Sequence, residues 1–111
     1  MPKYLVLYRA SISAPEQMAD TTPEQAQAGM ELWMQWAGKA GDAIVDFGSP
    51  LAAVTTVGGK ASAPDQPIGG FSILQADSAD AMTKLLEDHP HFQTPGDTSI
   101  DVLEFLPIPG T

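Results

Sequence analysis

Gly70-Phe71-Ser72-Ile73-Leu74-Gln75-Ala76-Asp77-Ser78, the run from Ala79 to His89-Pro90-His91, and Ser99-Ile100-Asp101-Val102-Leu103-Glu104-Phe105 decide the fold. Gly70 to Ala76 reads as a strand, because β-branched, aromatic and leucine side chains there suit a pleated, half-buried surface. Ser78 is placed to cap a helix whose apolar positions Ala79, Met82, Leu85 and Leu86 step by three, three and one, which is one face at 3.6 residues per turn. His89 falls on the same stripe, and Pro90 disfavours helical geometry at His89, so the helix ends there. Ser99 to Leu106 is a further strand, followed by an extended tail, Pro107-Ile108-Pro109-Gly110. Both histidines of the chain therefore sit between this helix and the last strand, and they are the only side chains whose ordinary titration lies near neutral pH.

Working back towards the N-terminus, Lys3 to Arg9 reads as a strand with Tyr4, Val6 and Tyr8 on one face and Leu5 and Leu7 on the other. Ala10 to Thr21 has the composition of a loop. Thr22-Pro23-Glu24-Gln25 is a helix start, with Thr22 as N-cap, Pro23 in the first helical position and Gln25 closing a capping box. The helix is predicted to reach about Ala40, with Gly41 as its stop. Its apolar stripe is Ala26, Met30, Trp33, Ala37 and Ala40, and Leu32 and Trp36 lie alongside, giving a wide face to bury. Ala43 to Asp46 is a short apolar run that ends in a turn by composition, Asp46-Phe47-Gly48-Ser49-Pro50, and Leu51 to Val57 is a second β-rich run. Together they are expected to form one bent or bulged strand, with Gly58 to Gly69 as a loop.

The order strand, helix, strand, strand, helix, strand is that of a ferredoxin-like α+β domain, βαββαβ with an antiparallel sheet. Two helices cover one face of such a sheet. The second face, apolar at Leu5 and Leu7, then needs its own partner, and a second copy of the sheet supplies it. A homodimer with two sheets packed face to face is the expectation.

The 111 residues fit one domain, and 43% hydrophobic residues suffice for a core. Fourteen acidic against five basic residues give a formal charge of -9, which repels phosphate backbones and anionic headgroups. No nucleic acid and no membrane are expected as partners. The absence of cysteine excludes disulfides, thiolate metal ligands and a cysteine nucleophile. Met1 to Arg9 lacks the long apolar region and cleavage site of a signal peptide, so the expected location is cytoplasmic.

Taken in order, Tyr4-Leu5-Val6-Leu7-Tyr8, Ile44-Val45-Asp46-Phe47-Gly48-Ser49-Pro50-Leu51, the Gly70 to Ser78 strand and cap, His89-Pro90, Ser99 to Phe105 and Leu106-Pro107-Ile108-Pro109-Gly110 resemble the YCII-related (YciI-like) family. The resemblance spans nearly the whole chain, leaving out the loops at 11–21 and 58–66, and makes residues 1–111 a single YCII-related domain. It implies a dimeric α/β barrel, also described as a dimeric α+β barrel, in which two ferredoxin-like subunits enclose a cleft on each side. It further implies a histidine and an aspartate in that cleft as the catalytic pair proposed for the family. The family's histidine on the first helix is missing here, where Glu31, Trp33 and Trp36 stand, and Gln66-Pro67-Ile68-Gly69 takes the place of the Asp-Gly-Pro-Phe signature of one branch.

His89 is the first candidate for chemistry, as a general acid or base oriented by Asp46, which precedes a Gly-Ser-Pro turn at a strand end. The alternative is that His89 closes a helix C-terminus and Asp46 caps a turn. The pair His89 and His91 invites comparison with a metal site, but no third ligand is obvious beyond Asp88 or Asp97, and no metal or other cofactor is predicted. Trp36 and Trp33 are either flat walls for a cyclic ligand or core residues, with Trp33 assigned to the core stripe. Arg9, the one arginine, is a candidate for an anionic group or for an ion pair, and Ser49 for a hydrogen bond to a ligand or for a turn.

Two functions fit. One is a small enzyme acting on a cyclic or aromatic metabolite, with His89 and Asp46 transferring the proton and Trp36, Ser49 and Arg9 binding. The other is a non-catalytic small-ligand-binding or interaction module. A His89 buried without a carboxylate neighbour favours the second.

Overall fold

A computed structural model of the chain describes residues 1–59 and 66–110. Its elements are β1 (Lys3–Ala10), α1 (Ala14–Asp20), α2 (Pro23–Ala40), β2 (Ile44–Pro50), β3 (Ile68–Gln75), α3 (Ala79–Leu86) and β4 (Thr98–Glu104), with 3-10 turns at Gly41–Ala43 and Pro90–Gln93. The four strands form one sheet in the order β2-β3-β1-β4, antiparallel at every contact. That is the ferredoxin-like arrangement expected from the element order.

Alternation along β1 sets the two faces of the sheet. Tyr4, Val6, Tyr8 and Ala10 are buried, and so are Ser72, Leu74 and Ala76 at the matching positions of β3 and its end. Met82 and Leu86 of α3 and Trp36 of α2 close over Tyr4, Val6, Tyr8 and Leu74 to make the core. On the opposite face Leu5 lies between Ile73 and Leu103, and Leu7 between Phe71 and Asp101. These side chains are half-buried or, at Asp101 and Leu103, exposed. The second apolar face is thus present, and one chain leaves it uncovered.

Helix α2 starts and stops on its signals. The Thr22 hydroxyl accepts from the Gln25 N–H, the Gln25 side chain accepts from the Thr22 N–H, and Gly41, at a φ of 54°, sends its N–H to the Ala37 carbonyl. Its apolar stripe buries only in part. Trp36 is buried and Trp33, Ala37 and Ala40 pack against the core, whereas Ala26 and Met30 remain exposed. The C-terminal half of the helix lies on the sheet and the N-terminal half stands off it.

Three local expectations need correction. The segment 10–21 is not all loop: Ser13 caps α1 by accepting from the Glu16 N–H, with Pro15 in its first turn. Ser13-Ala14-Pro15-Glu16 is a capping signal, but α1 buries none of its residues, so no apolar periodicity announces it. Asp46 to Pro50 is strand rather than turn, accommodated by shifts of register against β3. Leu51 to Val57 makes no strand: β3 begins only at Ile68, and after the bond from the Leu51 N–H to the Gly69 carbonyl the segment has no further backbone pairing among the described residues. The loop expected at Gly58 to Gly69 is described only at its two ends, and residues 60–65 lie outside the described set.

Gly48 is the hinge of β2. Its φ is 86° and a Cβ there would collide with the Phe71 carbonyl, so only glycine lets the bulged strand approach β3 this closely.

Candidate ligand-binding cleft

Because α2 lifts away from the sheet towards its N-terminus, a cleft of about 830 Å³ opens between α2, α1 and the ends of β1, β2 and β3. Trp33 and Phe47 supply aromatic walls and Met18, Met30 and Met34 supply flexible apolar ones. Trp33 stands edge-on to Tyr8 with ring centroids 5.0 Å apart and faces Phe47 at 6.1 Å. Flat rings with adaptable thioethers around them fit a planar apolar guest.

The polar groups in the walls are mostly engaged. The Tyr8 hydroxyl donates to Ser72 Oγ (2.9 Å), which donates to the Phe47 carbonyl (2.6 Å), and burial pushes the phenol up to about 12. His91, also in the wall, donates Nε2–H to the Arg9 carbonyl (2.7 Å). Burial holds its pKa below the ordinary histidine value, opposed by backbone hydrogen bonds to Arg9 and Ser99. Thr94 and Ser49 also border the cleft, Ser49 at the register position opposite Phe71, and the hydroxyls of both are bonded to nothing among the described residues.

His89 lies one layer behind the cleft. Pro90 holds it in extended geometry, with ψ of 137°; α3 ends at Leu86, three residues before the stop expected at His89, and His89 becomes the cap of the turn at Pro90–Gln93. Its Nδ1 accepts from the His91 N–H (3.0 Å), which places the remaining proton on Nε2. That N–H is buried with no hydrogen-bond partner. Around it are the rings of Trp36 (4.3 Å), Trp33 (4.4 Å) and Tyr8 (4.9 Å), and π-faces accept weakly from an N–H. Burial first, and the neighbouring His91 second, press the His89 pKa down to about 3.

The other sequence candidates scatter. Asp46 is exposed and its Oδ1 accepts from the Gly48 N–H (2.8 Å); no bond joins it to His89, whose Nδ1 is taken by the His91 N–H and whose Nε2–H has no partner among the described residues. Arg9 reaches away from the cleft, pairing through Nε with Asp101 and through Nη1 with the Gln66 carbonyl. Trp36 is in the core, its Nε1–H donated to the Leu85 carbonyl (3.2 Å), and the tryptophan in the cleft wall is Trp33. Ser49 is in the wall. The sequence reading missed Thr94, Met30, Met34 and Phe47. The sequence pattern puts Met30 on the stripe to be buried, and its exposure together with that of Met34, one turn on, is visible only in the structure. Among the described residues no group of three potential metal ligands converges, and no helix is long and apolar enough to cross a membrane.

No protein-family model and no curated protein sequence matches the chain. Among solved structures it is similar to 5-chloro-2-hydroxyhydroquinone dehydrochlorinase (TftG) from Burkholderia phenoliruptrix AC1100, in complex with 2,5-dihydroxybenzoquinone, at 19% identity and a TM-score of 0.44, over 89% of this chain and 90% of that one.

Proposed function

We propose that this chain is a single YCII-related domain that binds a flat cyclic or aromatic small molecule in the cleft between α2 and the sheet, as a homodimer joined through the opposite sheet face. The observation that carries the reading is the cleft itself, about 830 Å³ walled by aromatic rings and methionines, a volume in the range of small-molecule sites. The dimer is supported by the half-covered apolar face around Leu5 and Leu7, since apolar patches of this kind are rarely left to water.

Binding is favoured over turnover by the state of the candidate proton carriers. A general base is most effective with a pKa near the working pH, and His89 is held near 3 with Nδ1 occupied by the His91 N–H. Its intended carboxylate, Asp46, serves the Gly48 turn instead.

Gly29 offers a clean test. It lines the cleft, and a Cβ added there meets nothing within 4 Å, so Gly29→Leu fills the space while removing a glycine from a helix, which itself stabilises by about 0.5–1 kcal/mol. Amide chemical shifts are followed while single- and double-ring compounds are titrated. Wild type is expected to respond at Trp33 and Phe47, and Gly29→Leu to bind at least about tenfold more weakly with undiminished stability. Equal binding by both proteins would place the site elsewhere.

A further inference from the structure

In a chain with a formal charge of -9, the cleft is free of charge: among the described residues its walls contain no aspartate, glutamate, lysine or arginine. The groups in it that can ionise, Tyr8 and His91, are both neutral around pH 7, since burial raises the first to about 12 and lowers the second. Backbone dipoles do not replace the missing charges. The start of α2 borders the cleft at Thr22 and Pro23, but its capping box uses the Thr22 and Gln25 amides and Glu24 occupies its first turn. The Gly48 N–H, also at the wall, is taken by Asp46. The guanidinium of Arg9, the residue best suited to meet an anion, is engaged with Asp101 and Gln66.

We propose that the cleft selects ligands with no net charge, a neutral ring system bearing hydroxyl or carbonyl groups that the Thr94 hydroxyl contacts, and rejects carboxylates, phosphates and ammonium ions of the same shape. This rests on the reading of the cleft as the binding site. A charge moved from water into such walls finds no partner and keeps its desolvation cost, and an anion meets in addition the repulsion of the protein's negative field.

Three probes of one ring system separate the cases at pH 7: 2-naphthol, 2-naphthoate and 2-naphthylmethylamine, the last protonated. Binding is followed through the amide shifts of Trp33, Phe47 and Thr94. Naphthol is expected to bind at least about 100-fold more tightly than either ion, a gap of roughly 2.7 kcal/mol. Met34→Arg places a cation at an exposed position of the wall and is expected to narrow the naphthol-to-naphthoate gap at least about tenfold. An ion binding within about tenfold of naphthol in the wild type, or a gap that Met34→Arg leaves unchanged, would overturn charge selection while the binding site stands. If none of the three moves the cleft amides at millimolar concentration, both the site and its selectivity are overturned.

Discussion

The imidazole of His89 stands at 81° to the indole of Trp33 with ring centroids 4.4 Å apart. His89 is almost fully buried, 1% exposed, whereas Trp33 faces the cleft. The histidine therefore acts on the cleft from behind, by fixing the ring that forms its wall. Its N–H acceptor bond to His91, which also lines the cleft, holds a second wall residue in the same way.

Removing that support is expected to cost stability. His89→Ala leaves a void among three aromatic rings and orphans the His91 N–H, a loss of about 3 kcal/mol. His89→Asn keeps an acceptor for that N–H and is expected to lose less. Urea denaturation measures both, and a His89→Ala protein as stable as wild type would refute the packing role.

Acid is expected to destabilise the fold through the histidines. Unfolded, each titrates near 6.5; folded, His89 is held to about 3 and His91 is also lowered. Between pH 6.5 and 3 the unfolded chain binds more protons than the folded one, so stability is full above 6.5 and falls with pH through that window, by up to about 1.4 kcal/mol per unit for His89 alone. Urea midpoints at pH 7 and 4.5 test this, and His89→Asn should flatten the difference.

Gly48→Ala is expected to cost about 2–4 kcal/mol, since the φ of 86° is strained for alanine and the new methyl meets the Phe71 carbonyl. Thermal unfolding reads the loss; retention of the wild-type midpoint would mean that β2 can pair with β3 without the bulge.

The two tryptophans are expected to separate by phenotype. Trp36→Ala removes a core ring and its hydrogen bond to Leu85, about 3–5 kcal/mol. Trp33→Ala costs less, about 1–2 kcal/mol for a half-buried ring, but weakens ring-ligand binding. Paired denaturation and binding titrations show which residue belongs to which function, and the reverse pattern would contradict the placement of the cleft.

Leu5→Glu sets a charge between Ile73 and Leu103 on the uncovered sheet face. Light scattering is expected to show a dimer for wild type and a monomer for the variant. A wild-type monomer would remove the face-to-face assembly.

Much of this protein was decided by its sequence. The alternation Tyr4-Val6-Tyr8 against Leu5-Leu7, the Thr22 capping box, the Ser78 cap and the Pro90 stop are local signals, each enforced by sterics or by hydrogen bonds within a few residues, and together they dictate the βαββαβ framework, to which the structure adds α1. Ser49, singled out for its closeness to Asp46, does border the cleft. What only the tertiary structure decided is which apolar residues go to the core and which to the cleft. Trp33 and Trp36 lie three apart on one helix and have the same chemistry; the tilt of α2 away from the sheet, not the stripe they belong to, buries Trp36 and leaves Trp33 in the wall. The same holds for His89 and Asp46, which a sequence can align with a strand end and a helix end but whose bonds go to His91 and Gly48, because the nearest backbone N–H groups satisfied them first.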